Sequence, residues 1–214
     1  MINTIIFDFD GTLVNTNDVV IDAWQHTYRH YLGCEKPKEH ITKCFGEPLL
    51  ITMEREFPDV DVAISAEVYR ERQREKADEL VRLFPQIEEL LVGLKEKGFK
   101  MGIVTSRTRE ATLFYLDKFG IADYFDEVVT CDDTSKHKPD PEPVLLGLKK
   151  LNAKAEETLM IGDSHFDMQC ANGAFVKTVL VGWRMTSDKE KMDQCQVDYH
   201  IENPMELLNI LEEM

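Results

Sequence analysis

"IIFDFDGTLVNT" (Ile5–Thr16) decides how this 214-residue chain folds. The apolar run Ile5-Ile6-Phe7 ends in two acids one residue apart, Asp8 and Asp10. Side chains alternate faces along a strand, so residues i and i+2 point the same way. Two carboxylates on one side repel unless a cation or a proton compensates them. A buried strand that ends in uncompensated acids predicts that compensating groups arrive from elsewhere in the chain.

Three further runs, "KMGIVTS", "TLMIGDS" and "KTVLVGW", are rich in Ile, Val, Leu and Met. Amphipathic segments separate most of them, which is the pattern of buried parallel strands joined by helical crossovers. "FDEVVTCDD" reads as a fifth strand, and "VDYHI" as an edge strand before a last helix, "NPMELLNILEEM". The fold class is α/β: a Rossmann-like doubly wound parallel sheet.

Between Phe9 and Met101 the rhythm breaks. "NDVVIDAWQHTYRHYL", "EPLLITMEREF" and "AISAEVYRERQREKADEL" carry apolar residues at steps of three and four, and no strand is expected among them. A βα crossover needs far less chain. Residues 16–80 are therefore expected to form a small helical insertion after the first strand, hinged near Val14–Thr16 and Leu80–Phe84, with 1–15 and 81–214 as the core. "FPQIEELLVGLKEKG" supplies a core helix that Gly98 ends.

Composition excludes several classes. Hydrophobic residues make up 43% and charged residues 30%, an ordinary globular balance. No run approaches the roughly 18 apolar residues of a bilayer span, and Met1 leads straight into a strand with no basic leader. The net charge of −15 disfavours nucleic acid and anionic membranes as partners. Five scattered cysteines without a CxxC argue against disulfides and a zinc site, and for a reduced, cytoplasmic protein.

In an open α/β sheet the working site lies beyond the C-terminal strand ends. Those ends supply Asp8 and Asp10, Thr105 and Ser106, then Asp163 with Asp167 following it. The loop "SKHKPDPEP" adds Lys138. Converging carboxylates make a hard oxygen site suited to Mg2+. A lysine and a strand-end hydroxyl suit phosphoryl oxygens. A carboxylate can attack phosphorus, and a second one can move the proton. Each signal alone has a plainer meaning: Thr105-Ser106 can cap a helix, and Lys138 can be a solvated lysine. Their ordered conjunction favours chemistry.

These residues resemble the haloacid dehalogenase-like (HAD) superfamily of phosphohydrolases over essentially the whole chain. Asp8-Phe9-Asp10-Gly11-Thr12-Leu13 matches its DxDGTL motif, "VTS" the second, Lys138 in "KPDPEP" the third and "GDSHFD" the GDxxxD motif. The resemblance implies Asp8 as nucleophile and Asp10 as general acid/base. It implies Mg2+ held by Asp8, Asp163 and the main-chain carbonyl of Asp10, with Asp167 supporting that shell. Thr105 or Ser106, together with Lys138, would bind the phosphoryl group. The helical insertion corresponds to the family's C1-type cap, in which the loop "CFGEPLL" would present Gly46 and Glu47 to the substrate; an ordinary turn is the equal alternative.

Within the superfamily the chain is most similar to the phosphoglycolate phosphatase-like branch, including PpaX-type pyrophosphatases. This implies a small phosphorylated metabolite or pyrophosphate as substrate. A phosphomutase of the β-phosphoglucomutase sort shares every motif, and a non-catalytic binding protein on the same scaffold is the alternative from another class. A monomer is the default, with a dimer left open. Phe175 stands where the family usually carries glycine and is expected to repack a helix end. Arg107 and Arg109 could offer charge to a phosphate or lie on a solvated helix face. His26 and His30, one helical turn apart, read as a packed or solvated face in preference to a metal pair.

Overall fold

The computed structural model describes residues 1–183, 185 and 189–213. Eight strands and ten α-helices follow one another along the described chain. The central sheet takes β1 (Thr4–Phe7), and the chain then forms β2 (Val14–Asn15). Four helices come next: α1 (Asn17–Leu32), α2 (Lys38–Thr42), α3 (Leu49–Glu56) and α4 (Val62–Leu80). β3 (Arg82–Leu83) and α5 (Ile87–Glu96) lead back to the sheet. There β4 (Lys100–Val104), α6 (Arg109–Lys118), β5 (Glu127–Val129), α7 (Glu142–Leu151), β6 (Thr158–Gly162), α8 (His165–Gly173) and β7 (Lys177–Val181) alternate. α9 (Lys189–Met192), β8 (Tyr199–Ile201) and α10 (Glu206–Glu213) complete the chain.

The six-stranded sheet runs β5-β4-β1-β6-β7-β8, with every neighbouring pair parallel. The chain thus starts in the middle of the sheet and winds outward in both directions, as a doubly wound fold requires. β1 shows why its sequence is apolar on both faces. Ile5 and Phe7 pack into one cluster with Leu90, Leu91 and Leu94 of α5. Ile6 points the other way, into a second cluster with Val144 and Leu148 of α7. The fifth strand, the edge strand and the last helix all form as expected. Gly98 stands two residues past α5 with φ +80°, where a side chain would be strained.

Residues 17–80 form four helices with an apolar cluster of their own. Trp24 centres it, its ring 5.1 Å from that of Tyr69 and 5.7 Å from that of Tyr28, with Phe57, Ile41 and Met53 packed around. The two chain segments that connect this bundle to the sheet are not plain loops. Val14 pairs with Leu83 and Asn15 with Arg82, antiparallel, and Phe84 N donates to Leu13 O at 3.1 Å. The expected absence of strands between Phe9 and Met101 is thereby corrected: β2 and β3, two residues each, tie the crossings together. Elements that short carry no periodicity to read.

Candidate active site

The alternation of β1 stops at Phe7, and the chain turns at once. Asp8 N still donates to Ile161 O of β6 at 2.8 Å, which fixes Asp8 at the strand mouth. Leu13 N and Val14 N then both donate to Phe9 O, and Gly11 N donates to Val14 O, closing a tight loop. Gly11 holds φ +81°, and a Cβ there would stand 2.4 Å from Asp163 Oδ2. The glycine is thus what allows the Asp163 carboxylate to approach the first loop.

Asp8 is only 7% exposed and Lys138 only 4%. Lys138 Nζ donates to Asp8 Oδ1 at 2.8 Å and to Asp167 Oδ1 at 2.6 Å. Asp167 belongs to the first turn of α8, where it forms a reciprocal cap with Ser164. Its Oδ2 accepts from Ser164 N at 3.0 Å and Ser164 Oγ at 2.6 Å. Both oxygens of Asp167 are therefore engaged. Asp8, Asp163 and Asp167 are all buried and each offers an oxygen within 4.8 Å of the others.

Lys138 thus places one ammonium between two of these three acids, Asp8 and Asp167. Burial, and then the charge of Asp167, push the Asp8 carboxyl up to about 7, against the pull of Lys138. Burial opposes the charge on Lys138, but Asp167 and then Asp8 outweigh it and hold the ammonium well above the usual lysine range. A buried set of three converging carboxylates fits a hard divalent cation such as Mg2+.

Asp10 does not share the surroundings of Asp8. Its Oδ1 accepts from Thr16 Oγ at 2.8 Å and from Arg107 Nη2 at 2.7 Å, and its Oδ2 accepts from Arg107 Nε at 2.9 Å. The two acids of the opening stretch are thus divided between two cations, and the expected shared side is a near neighbourhood. The Asp10 carboxylate stands outside the buried three-acid group. Arg107, one of the two readings left open above, is no solvated residue: its side chain is 10% exposed and its guanidinium lies 5.2 Å over the ring of Tyr115. A signal was present, since Arg107 directly follows the strand-end pair Thr105-Ser106. Arg109 points elsewhere, its Nη2 donating to Asp133 Oδ2 at 2.6 Å.

Thr105 is buried at the end of β4, its Oγ accepting from Arg107 N at 3.1 Å. Ser106 Oγ instead donates to Gly46 O at 3.1 Å, across the gap between the sheet and the helical bundle. Gly46 has φ +86°, and a Cβ there would meet Phe166 at 3.0 Å and Ser164 Oγ at 3.1 Å. The "CFGEPLL" loop is thus seated directly over the strand ends. Glu47 lies in the same loop but is tied within the bundle, by Thr52 Oγ at 2.7 Å and Arg55 Nη1 at 2.8 Å. Phe175 does not repack the end of α8: it is 86% exposed, with φ +59°.

The family model for haloacid dehalogenase-like hydrolases matches residues 5–181. The chain belongs to the haloacid dehalogenase-like hydrolase family. It is 39% identical to the pyrophosphatase PpaX of Anoxybacillus flavithermus, over 98% of this chain and 97% of that one. It is 37% identical to the pyrophosphatase PpaX of Bacillus mycoides, with 98% and 97% covered. Among solved structures, a candidate phosphoglycolate phosphatase from Lactobacillus plantarum superposes with a TM-score of 0.86 at 26% identity, covering 98% of this chain and 99% of that one. The chain is thus an enzyme of the hydrolase class, similar to proteins named as pyrophosphatases and as a phosphoglycolate phosphatase. Among its described residues no helix is long and apolar enough to cross a membrane.

Proposed function

We propose that this HAD hydrolase is a Mg2+-dependent phosphohydrolase that acts through an aspartyl-phosphate on Asp8. The observation that carries the reading is Asp8 itself: buried at a strand mouth, bound by Lys138, and within reach of Asp163 and Asp167. Asp8 and Asp163 would hold the metal, and Asp167 would orient Lys138 and the shell around it. The bound metal would neutralise this acid cluster and draw charge from the phosphoryl oxygens.

The chain's own groups perform the rest. A carboxylate oxygen of Asp8 forms the bond to phosphorus as the bond to the leaving oxygen breaks, and Asp10 gives that oxygen a proton. Water then attacks phosphorus, Asp10 takes its proton, and the bond to Asp8 breaks to release phosphate. Lys138 and the Thr105 end of β4 steady the charge on the transferred group. Residues 16–80 act as a cap that keeps bulk water out, with the Gly46 loop as its contact on the site.

The names of the relatives favour pyrophosphate or a small phosphorylated metabolite as substrate. The test is phosphate release from a panel that includes pyrophosphate and phosphoglycolate, with and without Mg2+. We expect metal-dependent turnover by the wild type and none by Asp8→Asn; equal activity of the two proteins would overturn the nucleophile assignment.

A further inference from the structure

The segment that carries Lys138 has few backbone donors with which to hold itself. Pro139 and Pro141 have no N–H to give, and Asp140 N turns back to His137 O at 2.9 Å. Helix α8 meets this segment at steps of three. Asp167 takes the Lys138 ammonium at 2.6 Å. Three residues on, Cys170 Sγ donates to the Asp140 carbonyl at 2.9 Å. Three further on, Gly173 lies so close to Pro141 that a Cβ would stand 3.1 Å from its ring. Residues three apart are neighbours on a helix surface, so one side of α8 receives Lys138, Asp140 and Pro141 in turn.

Cys170 is fully buried, and a buried cysteine usually packs as a small apolar side chain. This one has directed partners. At the start of α7, Leu145 N donates to Pro141 O at 3.0 Å in the ordinary helical manner. One residue earlier the Asp140 carbonyl accepts from the Cys170 thiol instead, and the Val144 N–H acts on the same sulfur. The thiol thus serves a helix start whose first residue, Pro141, offers no side-chain cap. Burial pushes the thiol up to about 12, against the pull of Lys138 and of the Val144 N–H, so it keeps the proton it donates.

We propose that Cys170 is a positioning residue for Lys138. Its thiol fixes the Asp140 carbonyl, two residues past Lys138, and thereby sets where the ammonium stands between Asp8 and Asp167. The inference rests on the hydrolase reading, in which Lys138 steadies the transferred phosphoryl group. An ammonium aimed at developing charge acts through its position, so a slack loop loses rate. Without the sulfur, the Asp140 carbonyl and the N–H of fully buried Val144 lose a partner, and the loop shifts to recover one.

The test measures turnover in Mg2+ of pyrophosphate or phosphoglycolate, whichever the wild type hydrolyses faster. For Cys170→Ala we expect kcat to fall about 10-fold, the low end for losing an outer partner of a site residue. KM should stay within about twofold, because the contact acts on the transition state. Cys170→Ser, which keeps a donor and an acceptor, should recover most of the loss. The deciding measurement is Cys170→Ala on a Lys138→Met background. With the ammonium already gone, losing the thiol should cost less than about twofold there. The same loss on both backgrounds, or no loss in Cys170→Ala alone, would overturn the proposal. If Cys170→Ala fails to fold, Cys170→Val, which fills the space without a donor, gives the same comparison. Urea midpoints of the metal-free proteins give a readout without turnover. Cys170→Ala should lower the midpoint more on the wild-type background than on Lys138→Met, and equal shifts would count against the proposal. No Mg2+-dependent turnover of either compound sinks the hydrolase reading, and the urea comparison then decides this inference by itself.

Discussion

Lys138 and Asp167 form a buried ion pair of 2.6 Å, their side chains only 3% and 2% exposed, and the same ammonium reaches Asp8 at 2.8 Å. One cation therefore compensates two of the three clustered acids. Removing it takes the ammonium away from two buried carboxylates, a change that typically costs several kcal/mol. We expect Lys138→Met to lower the unfolding free energy of the metal-free protein by about 3 kcal/mol. Added Mg2+ should restore part of this loss, because it supplies charge at the same place. Turnover should fall by about 100-fold or more even with metal present, since a charge aimed at the phosphoryl group is gone. Denaturant unfolding with and without Mg2+ measures the first effect, and steady-state kinetics the second.

Asp8 titrates with its carboxyl pushed up to about 7 by burial and by Asp167, whereas in the unfolded chain it ionises near 3.8. Between those values the folded state holds a proton that the unfolded state has released, so this group lowers stability as pH rises through that window. Above about 7 its contribution levels off. A divalent cation must displace that proton at pH 6 and need not at pH 8. We expect Mg2+ to raise the melting temperature more at pH 8 than at pH 6, and Asp8→Asn to remove most of that difference. A pH-independent metal shift in the wild type would contradict the assignment of Asp8 to the metal.

How much of this could be read from the residues differs from group to group. The parallel strands followed from runs such as Ile5-Ile6-Phe7, because burial on both faces leaves a continuous apolar signature, while their order in the sheet is seen only in the structure. The gathering of Asp8, Lys138, Asp163 and Asp167 followed from their places at strand ends or in the loop and helix start beside them. Directions did not follow. Nothing in the spacing of Asp10 says that it faces Arg107, which is 97 residues away and held by its stacking on Tyr115. Ser106 and Glu47 were both legible as near the site, yet one binds the Gly46 carbonyl and the other is held by Thr52 and Arg55. Such choices are made by packing between distant segments, which local sequence does not encode.

Gly11 and Gly98 have nearly the same backbone angle, φ +81° and +80°, but different surroundings. A Cβ at Gly98 would meet nothing within 4 Å, while at Gly11 it would fall 2.4 Å from Asp163 Oδ2. Gly98→Ala therefore carries backbone strain alone, about 1–2 kcal/mol. Gly11→Ala carries the same strain and also displaces the Asp163 carboxylate. We expect Gly98→Ala to lose stability and keep its Mg2+ response. Gly11→Ala should lose the Mg2+-induced rise in melting temperature as well. Loss of that response in both variants would mean that strain, and not the approach of Asp163, is what the glycine relieves.

Phe175 illustrates the reverse case, a bulky side chain at a backbone angle suited to glycine. It follows α8 with φ +59°, donates its N–H to Asn172 O at 3.0 Å, and leaves its ring 86% exposed. The left-handed conformation costs a non-glycine residue roughly 1–2 kcal/mol, and an exposed ring gains little burial in return. Glycine would relieve the strain, while its greater freedom in the unfolded chain would offset part of the gain. We expect Phe175→Gly to raise the unfolding free energy by about 0.5–1 kcal/mol, a shift of about 2 °C for a chain of this length. Because α8 also carries Asp167 in its first turn, the same variant tests whether the far end of the helix matters to the site. Phosphate release should stay at the wild-type rate, as the capping pair of Ser164 and Asp167 is formed at the opposite end. A destabilised variant would show instead that the exposed ring has a folded-state contact worth more than the strain it imposes.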